Sequence, residues 1–307
     1  MILTITLNPC IDKSTMAGVL APESKLRCTE LINEAGGGGI NVSKALKQLD
    51  IASTALFPSG GHNGNMLCDL LKKQEIAFHA INSEVETREN WIVLESGSNH
   101  QFRFTFPGKA VQEDVIIKLV DQIRLFSPSF VVASGSLPPG LPDYFYGLLI
   151  KTANAAGAKC IVDTSGTALE AIKDKRAFLI KPNIGELSRL LKREKINKNE
   201  VDDAAAQLIQ NGYAEIIVVS MGAEGAWLVS ESEKYFVPAP PIEKKSTVGA
   251  GDSMVAGITY AIQKNLSLKE SLQWGVACGS AATMNAGTQL FRKEDVFRLY
   301  NLIQQNS

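Results

Sequence analysis

Cysteine and histidine are scarce, and no long apolar stretch is present. Five cysteines, Cys10, Cys28, Cys68, Cys160 and Cys278, are odd in number and widely spread over 307 residues, with no C-x-x-C pair. That pattern argues against a disulfide framework or a zinc site and reads as reduced thiols in a cytoplasm. No apolar run approaches the ~18–20 residues of a membrane span. Met1-Ile-Leu-Thr-Ile-Thr-Leu lacks the basic start and small-residue cleavage site of a signal peptide. A basic surplus is missing too. Lys and Arg number 31 against 32 Asp and Glu, a net charge of −1, which argues against a nucleic-acid partner because displacing counterions needs a cationic face. Neither G-x-x-x-x-G-K-[ST] nor a G-x-G-x-x-G after a strand occurs, so a P-loop protein and a nicotinamide enzyme lack support.

What the chain does have is a hydrophobic fraction of 45% beside 21% charged residues, the composition of a globular protein with a substantial core. Its length suits one large domain, or one with an appendage. Residues 1–7, Thr54 to Phe57, Ala77 to Ile81, Phe130 to Ala133, Ala158 to Asp163, Phe178 to Lys181 and Glu215 to Ser220 read as buried strands. Between them, Asn41 to Leu49, Gly64 to Lys73, Val115 to Ile123 and Tyr144 to Leu149 carry apolar residues at helical spacing, and the pattern from Ala250 onward is helical. This alternation predicts an α/β fold, a parallel sheet covered on both faces. Two stretches break the rhythm. Residues 13–34 and 88–106 alternate with period two, and the second contains a turn at Glu95-Ser-Gly-Ser-Asn between two strands. Strands with no helices between them cannot join a parallel sheet by crossovers, so they predict a small separate sheet. Its apolar face must cover a site or a second subunit.

The strongest chemical signal is Ser246-Thr-Val-Gly-Ala-Gly-Asp-Ser, entering a helix. Glycines there let bare amides converge at a helix N-terminus, a site for an anion such as a phosphate oxygen. Asp252 is out of place if the loop only holds phosphate, and makes sense as a base for a hydroxyl attacking phosphorus. Read alone, the segment is equally compatible with a tight turn and a helix-capping carboxylate. A second cluster, Gly36-Gly-Gly-Gly-Ile-Asn, leads into the next helix. Four glycines are entropically costly unless backbone must approach a ligand closely, and the Asn41 amide suits sugar hydroxyls; a flexible loop with an Asn cap is the other reading. Gly251-Asp252-Ser253 also resembles the start of an esterase motif. The histidines, His62, His79 and His100, all lie in the first third, which removes that family's pattern of a C-terminal base.

These segments, with Leu7-Asn-Pro-Cys-Ile-Asp, Lys25-Leu-Arg-Cys, Ser134-Gly-Ser-Leu-Pro-Pro-Gly, Lys181-Pro-Asn-Ile-Gly-Glu and Val219-Ser-Met-Gly in this order, resemble the ribokinase-like, PfkB-type carbohydrate kinases over nearly the whole chain. The resemblance implies a single domain over residues 1–307, a three-layer α/β sandwich with a mostly parallel sheet. A lid sheet from about 13–34 and 88–106 is interleaved within it. It implies Asp252 as base, with the amides of Gly249, Ala250 and Gly251 holding the transferring phosphoryl. Asp12, Gly39 and Asn41 would bind sugar hydroxyls. Arg88, Arg103 and Ser136, with Lys25 from a partner subunit, would grip the sugar's phosphate. Lys181, Asn183 and Glu186 would organise magnesium and the phosphates of ATP, and Ser220 and Gly222 would line the nucleotide. Ser246, Val248, Ala282, Asn285, Gly287 and Gln289 match a potassium site, with Gln289 where relatives often carry arginine and Cys10 where Ala or Ser is usual.

Family members acting on fructose 1-phosphate or tagatose 6-phosphate usually read Gly-Gly-Lys-Gly where this chain has Gly36 to Gly39. Gly38 thus leans toward fructose 6-phosphate, phosphorylated on its 1-hydroxyl. The alternatives are those two related activities, or a non-catalytic sugar-phosphate sensor. The resemblance also implies a homodimer clasped through the lid sheets.

Overall fold

The computed structural model describes residues 1–98, 100–285 and 289–306. The first third holds β1 (Ile2–Ile5), β2 (Cys10–Ala17), β3 (Ile32–Gly36), α1 (Gly38–Gln48), β4 (Ser53–Ser59), α2 (Gly61–Lys73), β5 (Phe78–Asn82), β6 (Arg88–Glu95) and β7 (Gln101–Thr105). There follow α3 (Glu113–Phe126), β8 (Phe130–Ser134), α4 (Phe145–Ala155), β9 (Lys159–Asp163), α5 (Gly166–Glu170), β10 (Ala177–Ile180), α6 (Ile184–Leu190) and α7 (Val201–Gln210). The last third holds β11 (Ala214–Ser220), β12 (Ala226–Ser230), β13 (Lys234–Val237), α8 (Ala250–Gln263), α9 (Leu268–Thr283) and α10 (Lys293–Gln305).

Local sequence explains the elements. Helix α3 opens on Glu113 and Asp114 and carries Arg124 in its last turn, both favourable to the helix dipole. Val115, Ile116, Leu119, Val120 and Ile123 form its buried stripe, and Ser127 ends it in the left-handed conformation. Burying that stripe contributes on the order of 10 kcal/mol before chain entropy is subtracted. A charge placed at Leu119 would break it.

Nine strands form the main sheet in the order β13-β12-β11-β10-β9-β8-β1-β4-β5. Neighbours from β11 to β5 are parallel, and β12 and β13 pair antiparallel at the edge. Alternate strand residues feed two cores. Leu3, Ile5, Val131 and Val162 pack under α3, α4, α6 and α7, while Ile2, Val132, Ile161 and Leu179 pack under α1, α8, α9 and α10. The hairpin β12–β13 is an element that the strand–helix alternation does not reveal. An antiparallel edge needs no crossover helix, so the rhythm is silent there.

The second sheet has four strands in the order β3-β2-β6-β7. It matches the separate sheet expected from the sequence but starts earlier, at Cys10, and ends later, at Gly36, while residues 18–31 form a mostly exposed loop. Ile11 and Ala35 anchor its base to α2 through Phe57, Leu67 and Leu71. The register puts Asp12, Asn90 and Arg88 on one face with Arg103, and Trp91, Phe102 and Phe104 on the other. Among the described residues, no helix is long and apolar enough to cross a membrane.

Candidate active site

The parallel strands deliver their C-terminal ends to one edge of the sheet, where ligands of open α/β folds bind. Ser134 ends β8, Asp163 ends β9, Lys181 follows β10 and Ser220 ends β11. Over this edge lies the N-terminus of α8. Gly249 caps it with φ 71°, and a Cβ there would meet Leu290 Cδ2 at 2.6 Å. Glycine is therefore required, and the first turn of α8 directs its amides toward one point as an anion cradle, with Ala250 N donating to Thr247 O at 3.5 Å. Lys181 sits beneath: its Nζ is 3.5 Å from where a Gly251 Cβ would stand.

Asp252 is on the first turn of α8, partly shielded from solvent. Asn41 Nδ2 donates to its Oδ2 at 2.9 Å, and Ser134 Oγ donates to its Oδ1 at 3.2 Å. Burial, aided by the nearby Asp163 carboxylate, pushes its pKa up to about 6, while Asn41, Lys181 and Ser134 pull it down. A carboxylate with that value is ionised at neutral pH yet basic enough to take a proton. Each oxygen keeps a lone pair, because a carboxylate offers about four acceptor sites.

Lys181 is buried and pairs with Asp163 at 3.1 Å. Burial alone would lower its pKa, but Asp163, Asp252 and Glu186 outweigh that and hold the ammonium charged. Asn183 and Glu186 form a capping box at the start of α6. Asn183 Oδ1 accepts from Glu186 N at 2.9 Å, and Glu186 Oε2 accepts from Asn183 N at 2.8 Å. Burial raises the Glu186 pKa. Among the described residues no three His, Cys, Asp or Glu side chains converge as a metal cage. Magnesium that keeps its waters and leans on nucleotide phosphates needs no such cage.

Beside the cradle lies a cleft of 620 Å³. Ser220 and Gly222 line it, together with Pro240, Ile242, Met254 and Val276, while Thr247 and Gly251 open it onto the cradle. A mostly apolar slot ending in an anion site suits a flat base followed by phosphates. The donors and the shape therefore fit ATP.

Most of the residues expected to meet a sugar phosphate lie on or beside the small sheet. Asp12 Oδ1 accepts from Asn90 Nδ2 at 2.9 Å and from Cys10 Sγ at 3.3 Å. Burial pushes the Cys10 thiol up, so it stays protonated as a donor. Arg88 donates to Asn90 Oδ1 at 2.9 Å and to the carbonyls of Asn8 and Phe106, and Asn8 in turn donates to Ser136 Oγ at 3.3 Å. Arg103 turns the other way, to Gln101 and, at 3.3 Å, to Thr247 Oγ1 beside the cradle. Arg103 lies opposite Ile92, four residues from Arg88, an offset of about 13 Å along the strands. The two arginines share a face, but their guanidinium groups do not meet here. Lys25 lies in the exposed loop between β2 and β3. Gly39 is buried in the first turn of α1, whose Asn41 reaches Asp252.

The expected cation residues lie between two segments. Lys245 N and Ser246 N donate to Thr283 O at the end of α9, and Val248 N donates to Ser246 Oγ. Asn285 donates to the carbonyls of Ala281 and Leu290 and, through its amide, to Ala282 O. Gln289 is exposed beside them, and Gly287 lies outside the described residues.

Sequence reasoning missed Asp163, Ser134, Asn90 and Asn8. Asp163 had a signal, a carboxylate at the end of a buried strand. Asn90 had one too, since it stands two residues from Arg88 on a strand and so shares its face. Ser134 stood unread inside a quoted segment.

A model of the pfkB family carbohydrate kinases matches residues 3–295. The chain belongs to this family. It is 42% identical over 301 residues to the ATP-dependent 6-phosphofructokinase isozyme 2 of Escherichia coli K12, covering 97% of each chain. Crystal structures of phosphofructokinase-2 from Escherichia coli superpose on it closely. The complex with potassium gives a TM-score of 0.95 at 41% identity, covering 99% of each chain. The complex with fructose-6-phosphate gives 0.93 at 40%, again covering 99% of each chain. The sandwich and its small second sheet thus belong to the family.

Proposed function

We propose that this chain is an ATP-dependent 6-phosphofructokinase, transferring the γ-phosphoryl of ATP to the 1-hydroxyl of fructose 6-phosphate. The observation that carries this is a doubly hydrogen-bonded carboxylate, Asp252, standing on the same helix turn as Ala250 and Gly251, which border an apolar slot. Asp252 takes the proton of the attacking hydroxyl. The amides of Gly249, Ala250 and Gly251, with Lys181 beneath them, hold the moving phosphoryl and absorb its developing charge. Asp12, fixed by Asn90 and Cys10, accepts from ring hydroxyls, and Gly39 and Asn41 close the floor of the site. Fixing the sugar this way decides which hydroxyl meets the base, an orientation effect worth several kcal/mol.

Arg88, Ser136 and Arg103 grip the sugar's phosphate once Arg103 leaves Thr247, and Lys25 joins from a second subunit. Guanidinium forks suit a phosphate dianion. Asn183 and Glu186 would hold magnesium, and Ser220 and Gly222 would border the nucleotide. Bound there, magnesium would supply positive charge to offset that of the phosphates. Ser246, Val248, Ala282, Asn285 and Gln289 would hold potassium, together with Gly287, which lies outside the described residues. The exposed aromatic face of Trp91, Phe102 and Phe104 suits a clasped homodimer. Residues 1–307 act as one kinase domain with an interleaved lid, in the cytoplasm, where its unpaired thiols stay reduced.

A coupled assay of ATP consumption tests the reading. Turnover with fructose 6-phosphate well above that with tagatose 6-phosphate and fructose 1-phosphate is expected. Preference for either competitor, or no turnover at all, would overturn it.

A further inference from the structure

We propose that Ser134 is a positioning residue for the phosphoryl-transfer base: its hydroxyl fixes the plane from which the Asp252 carboxylate takes the proton. This rests on Asp252 being that base. Ser134 ends β8 and is 1% exposed. Its hydroxyl holds Asp252 Oδ1, while Asn41, from another element, holds Oδ2. One donor on each oxygen, coming from β8 and from α1, removes the freedom of the carboxylate to rotate.

The peptide carrying Ser134 is itself locked. Gly135 N donates to Asp163 O at 3.0 Å. Gly135 O accepts from Tyr146 Oη at 2.6 Å and from Thr164 Oγ1 at 2.8 Å. Helix α1 closes the other side. A Cβ on Gly38 would stand 2.3 Å from Ser134 Oγ and 2.7 Å from its carbonyl carbon. The glycine leaves the hydroxyl one place to be, and that place touches the base. A hydroxyl needing only a partner would not require so many constraints on its backbone.

The charged and titratable groups facing Asp252 are Asp163 from β9, Lys181 after β10 and the Tyr146 phenol from α4. Ser134 favours the ionised carboxylate, so its loss raises the pKa of the base and moves the acidic limb of kcat to higher pH. With Asp163, Lys181 and Tyr146 unchanged, that movement belongs to Ser134.

The test is Ser134→Ala in the full-length enzyme, assayed with ATP and fructose 6-phosphate from pH 5 to 8. We expect kcat to fall roughly tenfold or more, as for a hydrogen bond to a charged group, with both Michaelis constants within about twofold. The acidic limb should rise by about half a unit to one unit, and Ser134→Thr, which keeps the hydroxyl, should return it. If Ser134→Ala does not fold by circular dichroism, Ser134→Cys, of similar size and a weaker donor, carries the same expectation. An unmoved limb, or a loss appearing only in the Michaelis constants, overturns the proposal. Asp252→Asn separates the two readings. Near-normal turnover there removes the base itself, whereas an inactive Asp252→Asn with an unmoved Ser134→Ala limb removes only the positioning role.

Discussion

The edge of the nine-stranded sheet and the four-stranded lid hold their charged groups differently. On the sheet side, Lys181 and Asp163 are paired with side-chain exposures of 8% and 17%, and Asp252 is bonded through both oxygens. On the lid side, Arg103 and Lys25 are exposed, Arg88 is tied to carbonyls of neighbouring loops, and an aromatic patch faces outward. The first wall is rigid because strand ends with no freedom to move carry it. The second can rearrange, since its bonds are to loop carbonyls and neutral side chains. On the proposed reading, chemistry that tolerates little misplacement would sit on the rigid wall, and recognition of a ligand that arrives and leaves would sit on the adaptable one.

The largest effect should come from the rigid wall. Asp252→Asn is expected to lower kcat by about a thousandfold without lowering the melting temperature. Its pKa is raised, so the folded protein binds a proton more readily than the unfolded chain. For this group, folding loses stability as pH rises from 3.8 to about 6, and a neutral isostere escapes that loss at pH 7. Steady-state kinetics beside scanning calorimetry check both halves; a sharp drop in melting temperature would mean that the charge is structural. In the native enzyme the same carboxylate should make kcat fall about tenfold per pH unit below about 6.

Next is Lys181→Met, which leaves Asp163 charged and without its buried partner. Unfolding in urea should show a loss of about 3–5 kcal/mol; a loss below 1 kcal/mol would make the sheet edge as forgiving as the lid. The lid arginines should give smaller, selective effects. Arg88→Ala and Arg103→Ala should each raise the Michaelis constant for fructose 6-phosphate about tenfold, with little change for ATP. An equal rise for ATP in Arg103→Ala would move that residue to the cradle side, where it already touches Thr247. Smallest is Trp91→Asp, which should raise the dimer dissociation constant about tenfold by analytical ultracentrifugation. Unchanged association would place the subunit contact elsewhere.

Legibility followed distance along the chain. The Gly249-Ala-Gly-Asp252 cradle could be read because its parts are consecutive and one helix start assembles them. The lid could be read because period two without helices admits few other fates. Asn183 and Glu186 were read for their expected ligand, yet their local hydrogen bonding is a capping box that any S/T/N-x-x-E start can form. Asp163, Ser134 and Asn90 went unread because each matters through a partner far away in sequence: Lys181, Asp252 and Asp12. The edge hairpin β12–β13 escaped for another reason, since two short antiparallel strands carry no crossover signature.

By itself, the order of residues determined the α/β alternation and the separate small sheet. Both follow from spacing within about a dozen positions. Tertiary structure alone decided that Asp252 is held from two elements and carries a raised pKa, that Lys181 keeps its charge while buried, and that Arg88 and Arg103 point apart. Those outcomes depend on desolvation and on distances between strand ends, which are set only when the sheet closes around its core.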